Sequence, residues 1–143
     1  MVEALVELAV EAPRVRQLRR VAARLDTRRT SARRLSTAGD LPLVDDPRVR
    51  FFPGWVEDTL PLYEWPEHEV LFALFDADLY SSTAVALATV RPHLRPGSFV
   101  YFDDFHHRCD ELRAFAALID EHDVRFELVG ALRELSKVLF RVV

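Results

Sequence analysis

Two apolar runs in this sequence each end in carboxylates. EVLFALF, residues 69 to 75, is followed by Asp76-Ala77-Asp78-Leu79-Tyr80, and SFVYF, residues 98 to 102, by Asp103-Asp104-Phe105. Runs that are continuously apolar and rich in aromatic and β-branched residues suit strands covered on both faces. In open parallel sheets ligands gather beyond the carboxyl ends of the strands, where both acidic groups would then lie. Carboxylates brought together there repel one another, raise at least one pKa and are costly unless a cation sits between them. Oxygen donors with open water positions suit Mg²⁺, Mn²⁺ or Ca²⁺ better than zinc. The plainer alternatives are a helix cap for Asp78 and solvated turns for Asp76 and for Asp103-Asp104.

Other residues offer less. His106 and His107 follow the acidic pair and suit a proton acceptor near neutral pH, or simply an exposed turn. His68 and His122 fall at element boundaries and His93 near a helix end, where capping or solvation accounts for them. Cys109 reads as a buried or half-buried small residue with nothing to activate a thiolate. Trp55 and Trp65 are suited to stacking on an adenine or a sugar, and equally to covering the core from a loop.

Positioning the acidic groups requires alternating strands and helices, and from residue 40 onward the pattern is of that kind. Strands are expected at 48–52 (RVRFF), 69–75, 98–102, 125–129 (RFELV) and 136–142 (KVLFRVV), with the second and third as the central pair. Ser82 is placed to cap a helix running to His93, and Pro96-Gly97 to turn the chain into the next strand. Asp110 is placed to cap a second helix with Leu112, Phe115, Ala116 and Ile119 on one face. The last two strands are joined too closely for a parallel crossover and should form an antiparallel hairpin at the sheet edge. The fold expected is therefore α/β, with a mainly parallel sheet.

The chain divides near Gly39. Arginine occurs nine times within residues 14 to 34, and Val15, Leu18, Ala22 and Leu25 fall at helical spacing, so residues 1–38 read as a basic segment built on an amphipathic helix. Pro13 suits its first turn, and the hydroxyl residues between Thr27 and Thr37 weaken the pattern towards its end. Its arginine face suits solvent first, and an anionic polymer or a disordered arm less well.

The 143 residues allow one domain with a core of its own. Half are apolar and 29% are charged, as in an ordinary soluble domain, and a net charge of -4 does not favour nucleic acid as a partner. One cysteine cannot form a disulfide framework, and MVEALVELAV is too short and too acidic for a membrane span or a signal peptide. A cytoplasmic protein without membrane or nucleic-acid partners is the expectation.

LFDADLYSST followed by HLRPGSFVYFDDF resembles the macrocin O-methyltransferase family in letters and spacing, and VRFFPGWVEDTLP, residues 49 to 61, is similar to the family's Gly-Trp-Phe-x-x-Thr-Leu-Pro block. The similarity spans residues 48–105 and, less specifically, the tail to Val143. It implies a class I S-adenosylmethionine-dependent methyltransferase acting on a hydroxyl of a sugar or other small molecule. It further implies Mg²⁺ on Asp76, Asp103 and Asp104, with Asp78 and Tyr80 shaping the adjacent cofactor and substrate pocket; beside these, the residues themselves offer Asp76 with His106 as the candidate base for the chemistry, and Trp55 for stacking on the cofactor. Bound metal would lower the hydroxyl pKa and hold it in line with the methyl group. Ala77 stands where the family has glycine, which keeps the turn only if that position needs no positive φ.

One departure is large. A class I methyltransferase holds its cofactor mainly on a glycine-rich loop after the first strand, and Gly39, Gly54, Gly97 and Gly130 form no such loop. Residues 39–143 thus read as the carboxy-terminal part of a Rossmann-like sheet. It would be a truncated product, a piece completed by a homodimer or partner chain, or a remodelled remnant. The exposed edge of the half sheet invites pairing, and the basic segment is placed to cover it. The competing functions are a non-catalytic interaction module and, from Asp-Ala-Asp, a metal-dependent glycosyltransferase-like protein.

Overall fold

The computed structural model describes residues 2–12, 15–25, 41, 43–106 and 108–143. Along the chain run β1 (Val2–Ala12), β2 (Val15–Leu25), α1 (Val56–Thr59), β3 (Val70–Phe75), α2 (Tyr80–Val90), β4 (Phe99–Phe102), α3 (Glu111–Glu121), β5 (Phe126–Ala131) and β6 (Val138–Val142). One sheet contains all the described strands, in the order β2-β1-β3-β4-β6-β5.

The central pair is as the sequence indicates. β3 and β4 run parallel, Phe72 opposite Phe99 and Phe75 opposite Phe102, so the two acidic segments leave the sheet at the same edge. Pairing continues one step further, where the Asp103 N–H donates to the Phe75 carbonyl at 3.0 Å. Beyond this pair the expectation of a mainly parallel sheet gives way to a mixed one. β6 lies antiparallel to β4, and β5 antiparallel to β6 at the outer edge, because six residues between the last strands permit only a reversal.

β3 and β4 are fully covered on one face only. Leu71, Ala73 and Phe75 share that face with Val100 and Phe102, all at zero exposure, whereas the intervening residues are half-buried. Phe102 is the hub, its ring 5.1 Å from those of Phe75 and Phe105 and 5.2 Å from Phe115. α2 and α3 pack against each other and add Ala86, Leu87, Val90, Ala114, Phe115 and Leu118 to the same core. Burying each such large apolar side chain contributes about 1.5–3 kcal/mol, which makes this cluster the main support of the acidic edge.

Several local expectations need correction. Residues 15–25 do not form a helix: β2 pairs with β1, and β1 in turn pairs with β3, Glu7 opposite Leu74 through Glu11 opposite Val70. The helical spacing of Val15, Leu18, Ala22 and Leu25 is real, but the backbone pairs in the hairpin register, Glu3 opposite Arg24 through Ala12 opposite Val15. The hairpin also covers the β3 edge. Pro13, the segment from Thr27 to Thr37 and the division at Gly39 lie outside the described residues, as does His107.

RVRFF is not a strand either. With β1 beside β3 and prolines at both flanks, residues 48–52 remain an irregular segment whose Phe52 packs edge-on against Tyr63. α2 begins at Tyr80 with Leu79 at its N-cap, so Ser82 is a buried interior residue and not a cap. The buried stripe of α3 is Glu111, Ala114, Phe115 and Leu118, displaced from the one expected. Cys109 is exposed in the turn before α3. The Pro96-Gly97 turn is present: Ser98 N–H donates to the Arg95 carbonyl at 2.9 Å, and Gly97 takes φ of +92°, which its lack of a Cβ permits.

Among the described residues no helix is long and apolar enough to cross a membrane.

Candidate functional site

The turn after β3 is tight. Asp76 leaves the strand, Ala77 is fully buried, and the Leu79 N–H donates to the Ala77 carbonyl at 2.6 Å around Asp78, which takes φ of +54°. The left-handed residue is Asp78, a type that tolerates this conformation, and not Ala77, so alanine at the latter position costs the turn nothing. α2 starts at once. Its first N–H, from Tyr80, donates to Asp110 Oδ1 at 3.3 Å, so Asp110 caps α2 in place of the helix it precedes.

From these two strand ends Asp76, Asp78 and Asp104 each bring one carboxylate oxygen within 4.8 Å of the others. All three are half-buried. Burial raises the Asp76 pKa, helped by the charges of Asp103 and Asp104 and opposed by Lys137. Asp78 is pushed up to about 6, again chiefly by burial and then by Asp104.

Asp103 takes a different direction. It accepts hydrogen bonds from the Lys137 ammonium and, at 3.1 Å, from the Tyr101 hydroxyl. Lys137 reaches it because β6 starts beside the end of β4, Val138 opposite Phe102. Burial and Asp103 raise the Tyr101 pKa, and the bond to Asp103 raises that of Lys137. One of the four carboxylates at the edge is thereby neutralised within the protein.

Behind the cluster lies a residue that the sequence did not single out. Glu111, the first residue of α3, is wholly buried; its Oε1 accepts the Ala77 N–H at 3.3 Å and its Oε2 the Asp104 N–H at 3.1 Å. Burial pushes its pKa up to about 7, the two amides opposing and the Asp104 and Asp76 charges assisting that rise. A pocket of about 290 Å³ opens over this group, lined by Asp78, Asp104, His106, Asp110 and Glu111.

The remaining candidates divide clearly. His106 is exposed at the pocket, its Nδ1 3.9 Å from Asp104 Oδ1. Tyr80 is half-buried under the Arg113 guanidinium, 4.4 Å above its ring, and Trp55 sits at the N-cap of α1; neither is among the residues lining the pocket. Trp65, His68 and His93 gather at the opposite end of β3. Trp65 stacks on His93 at 4.1 Å, and the His68 ring nitrogens lie 2.8 Å and 2.9 Å from the carbonyl oxygens of Pro66 and His93, a structural tie remote from the acidic edge.

Comparison with known proteins agrees with this layout. The family model described as macrocin-O-methyltransferase (TylF) matches residues 16–130. The chain is 48% identical over 63 residues to 8-demethyl-8-(2,3-dimethoxy-alpha-L-rhamnosyl)-tetracenomycin-C 4'-O-methyltransferase of Streptomyces olivaceus, covering 44% of this chain and 23% of the relative. It is 33% identical over 92 residues to demethyldecarbamoylnovobiocin O-methyltransferase of Streptomyces niveus, covering 64% of this chain and 33% of the relative. Among solved structures it is similar to the O-methyltransferase NovP, with a TM-score of 0.57 at 31% identity over 68% of this chain and 38% of that one. Likeness to CalS11, a TDP-rhamnose 3'-O-methyltransferase of calicheamicin biosynthesis, gives a TM-score of 0.54 at 28% identity over 66% and 42%. The chain spans less than half the length of each of these relatives, and its fold is part of a class I methyltransferase sheet.

Proposed function

Because this chain belongs to the macrocin-O-methyltransferase (TylF) family, we propose that it forms the metal-binding half of an S-adenosylmethionine-dependent O-methyltransferase acting on a hydroxyl of a sugar or other small molecule. The observation that carries the reading is the convergence of Asp76, Asp78 and Asp104 from two parallel strand ends, within 4.8 Å, with Asp78 and Asp104 lining a pocket. Three half-buried carboxylates fit a hard divalent cation by donor type, and their mutual repulsion is what such an ion relieves. We assign Mg²⁺ to this set, which Asp103 joins when its bond to Lys137 is given up.

The cation, when bound, supplies a Lewis acid that makes a hydroxyl more acidic. The protein's own part is to hold the acceptor and take its proton. His106 is the group we assign as proton acceptor, since it lines the pocket with its Nδ1 3.9 Å from Asp104 Oδ1. We assign Asp76, the third carboxylate of the cluster, to orienting the hydroxyl through the bound cation. Asp78, which lines the pocket, is the residue we place toward the methyl donor.

The residues of this chain do not fit the whole methyl donor. Four scattered glycines make no glycine-rich loop, so the ribose and amino-acid contacts have to come from outside these 143 residues, on a longer polypeptide or a partner chain. That same feature favours a second reading, a non-catalytic module that retains the acidic edge. Family membership displaces the glycosyltransferase-like alternative. Calorimetric titration with S-adenosylmethionine, with and without Mg²⁺, tests the enzyme reading for this chain: metal-dependent binding supports it, and no heat in either condition excludes methyl transfer by these 143 residues on their own.

A further inference from the structure

A glutamate in the first turn of a helix ordinarily faces water and complements the helix dipole. Glu111 does neither in the usual way. It is at zero exposure, and both of its oxygens accept backbone N–H groups that belong to other segments, Ala77 in the turn after β3 and Asp104 after β4. Ala77 lies between Asp76 and Asp78, so the two amides that Glu111 holds are those carrying the three clustered carboxylates.

We infer that Glu111 is a positioning residue that clamps the two acidic strand ends at a fixed spacing, so that Asp76, Asp78 and Asp104 face one another as a ready set of cation ligands. The inference rests on the proposed metal-assisted reading. Only a carboxylate serves both bonds, since it presents two acceptor oxygens. Glutamine presents one oxygen and one NH₂, and the latter confronts an N–H donor. A shorter side chain loses reach to one loop or the other. Partners that orient metal ligands from behind, without touching the ion, typically change metal affinity about 10–100-fold when removed.

The test uses the full chain and Mn²⁺ as the probe. Electron paramagnetic resonance titration should show one Mn²⁺ bound by the wild-type protein. In E111Q the affinity should fall at least tenfold on the scale just given, and the spectrum of the loaded site should change, while circular dichroism stays unchanged. A glutamate that merely supported the fold would leave the loaded spectrum as it was. E111Q with wild-type affinity and spectrum overturns the clamp and leaves the metal reading standing. A wild-type protein that binds no Mn²⁺ overturns both. If E111Q does not fold, the wild type alone decides: amide exchange measured by NMR should be markedly slower at Ala77 and Asp104 than at the exposed His106, and equal exchange refutes the clamp.

Discussion

Glu111→Gln in the metal-free protein should convert a pH-dependent stability into a nearly pH-independent one at this position. The Glu111 carboxyl rises from 4.5 to about 7 on folding. At about 1.4 kcal/mol per pH unit this amounts to about 3–4 kcal/mol. Its sign follows from proton uptake. Between these values the folded protein holds a proton that the unfolded chain has released, so stability is full below about pH 4.5 and is lost as pH rises through about 7. Asp78, pushed up to about 6, acts in the same direction.

Glutamine removes the titration but satisfies only one of the two amides, and a buried donor left without a partner costs about 1–3 kcal/mol. Chemical denaturation in the presence of a chelator should therefore find E111Q less stable than wild type by about 1–3 kcal/mol at pH 5. At pH 8 the difference should vanish or reverse. Curves that stay parallel from pH 5 to pH 8, or a wild-type stability that rises over that range, would refute the reasoning.

Two other perturbations probe the surroundings of the site. Lys137→Met removes the cation that holds Asp103 and opposes the rise at Asp76, so Mn²⁺ should bind a few-fold more tightly; weaker binding would show that Lys137 organises the site. Phe102→Ala empties the hub of the aromatic cluster and should cost about 3–5 kcal/mol in urea denaturation; a loss under about 1 kcal/mol would mean that the cluster does not support the acidic edge.

What was legible in the sequence was whatever local pattern determines. EVLFALF and SFVYF announce buried strands, the Pro96-Gly97 pair fixes a turn by its own backbone preferences, and the closeness of the last two strands forces a hairpin. The acidic ends follow, because a residue directly after a buried strand has little choice of location. Glu111 was invisible because nothing local distinguishes a buried first-turn glutamate from an exposed one; only the meeting of two loops behind it reveals its work. Lys137 was missed for a similar reason. It lies 34 positions from Asp103 in sequence, and only the antiparallel insertion of β6 beside β4 brings the two together. The amino-terminal hairpin is not legible locally, since its apolar residues satisfy helical spacing and what decides the matter is backbone pairing with β1 and, through it, with β3, Glu7 opposite Leu74.

The acidic edge itself can be tested most directly by counting Mn²⁺ bound to the wild-type chain and to Asp104→Asn under the same conditions. One ion per wild-type chain, displaced by Mg²⁺ and lost or severely weakened in the variant, is the expected result. No binding to the wild-type chain, or equal binding to both, would contradict a cation site built from these strand ends.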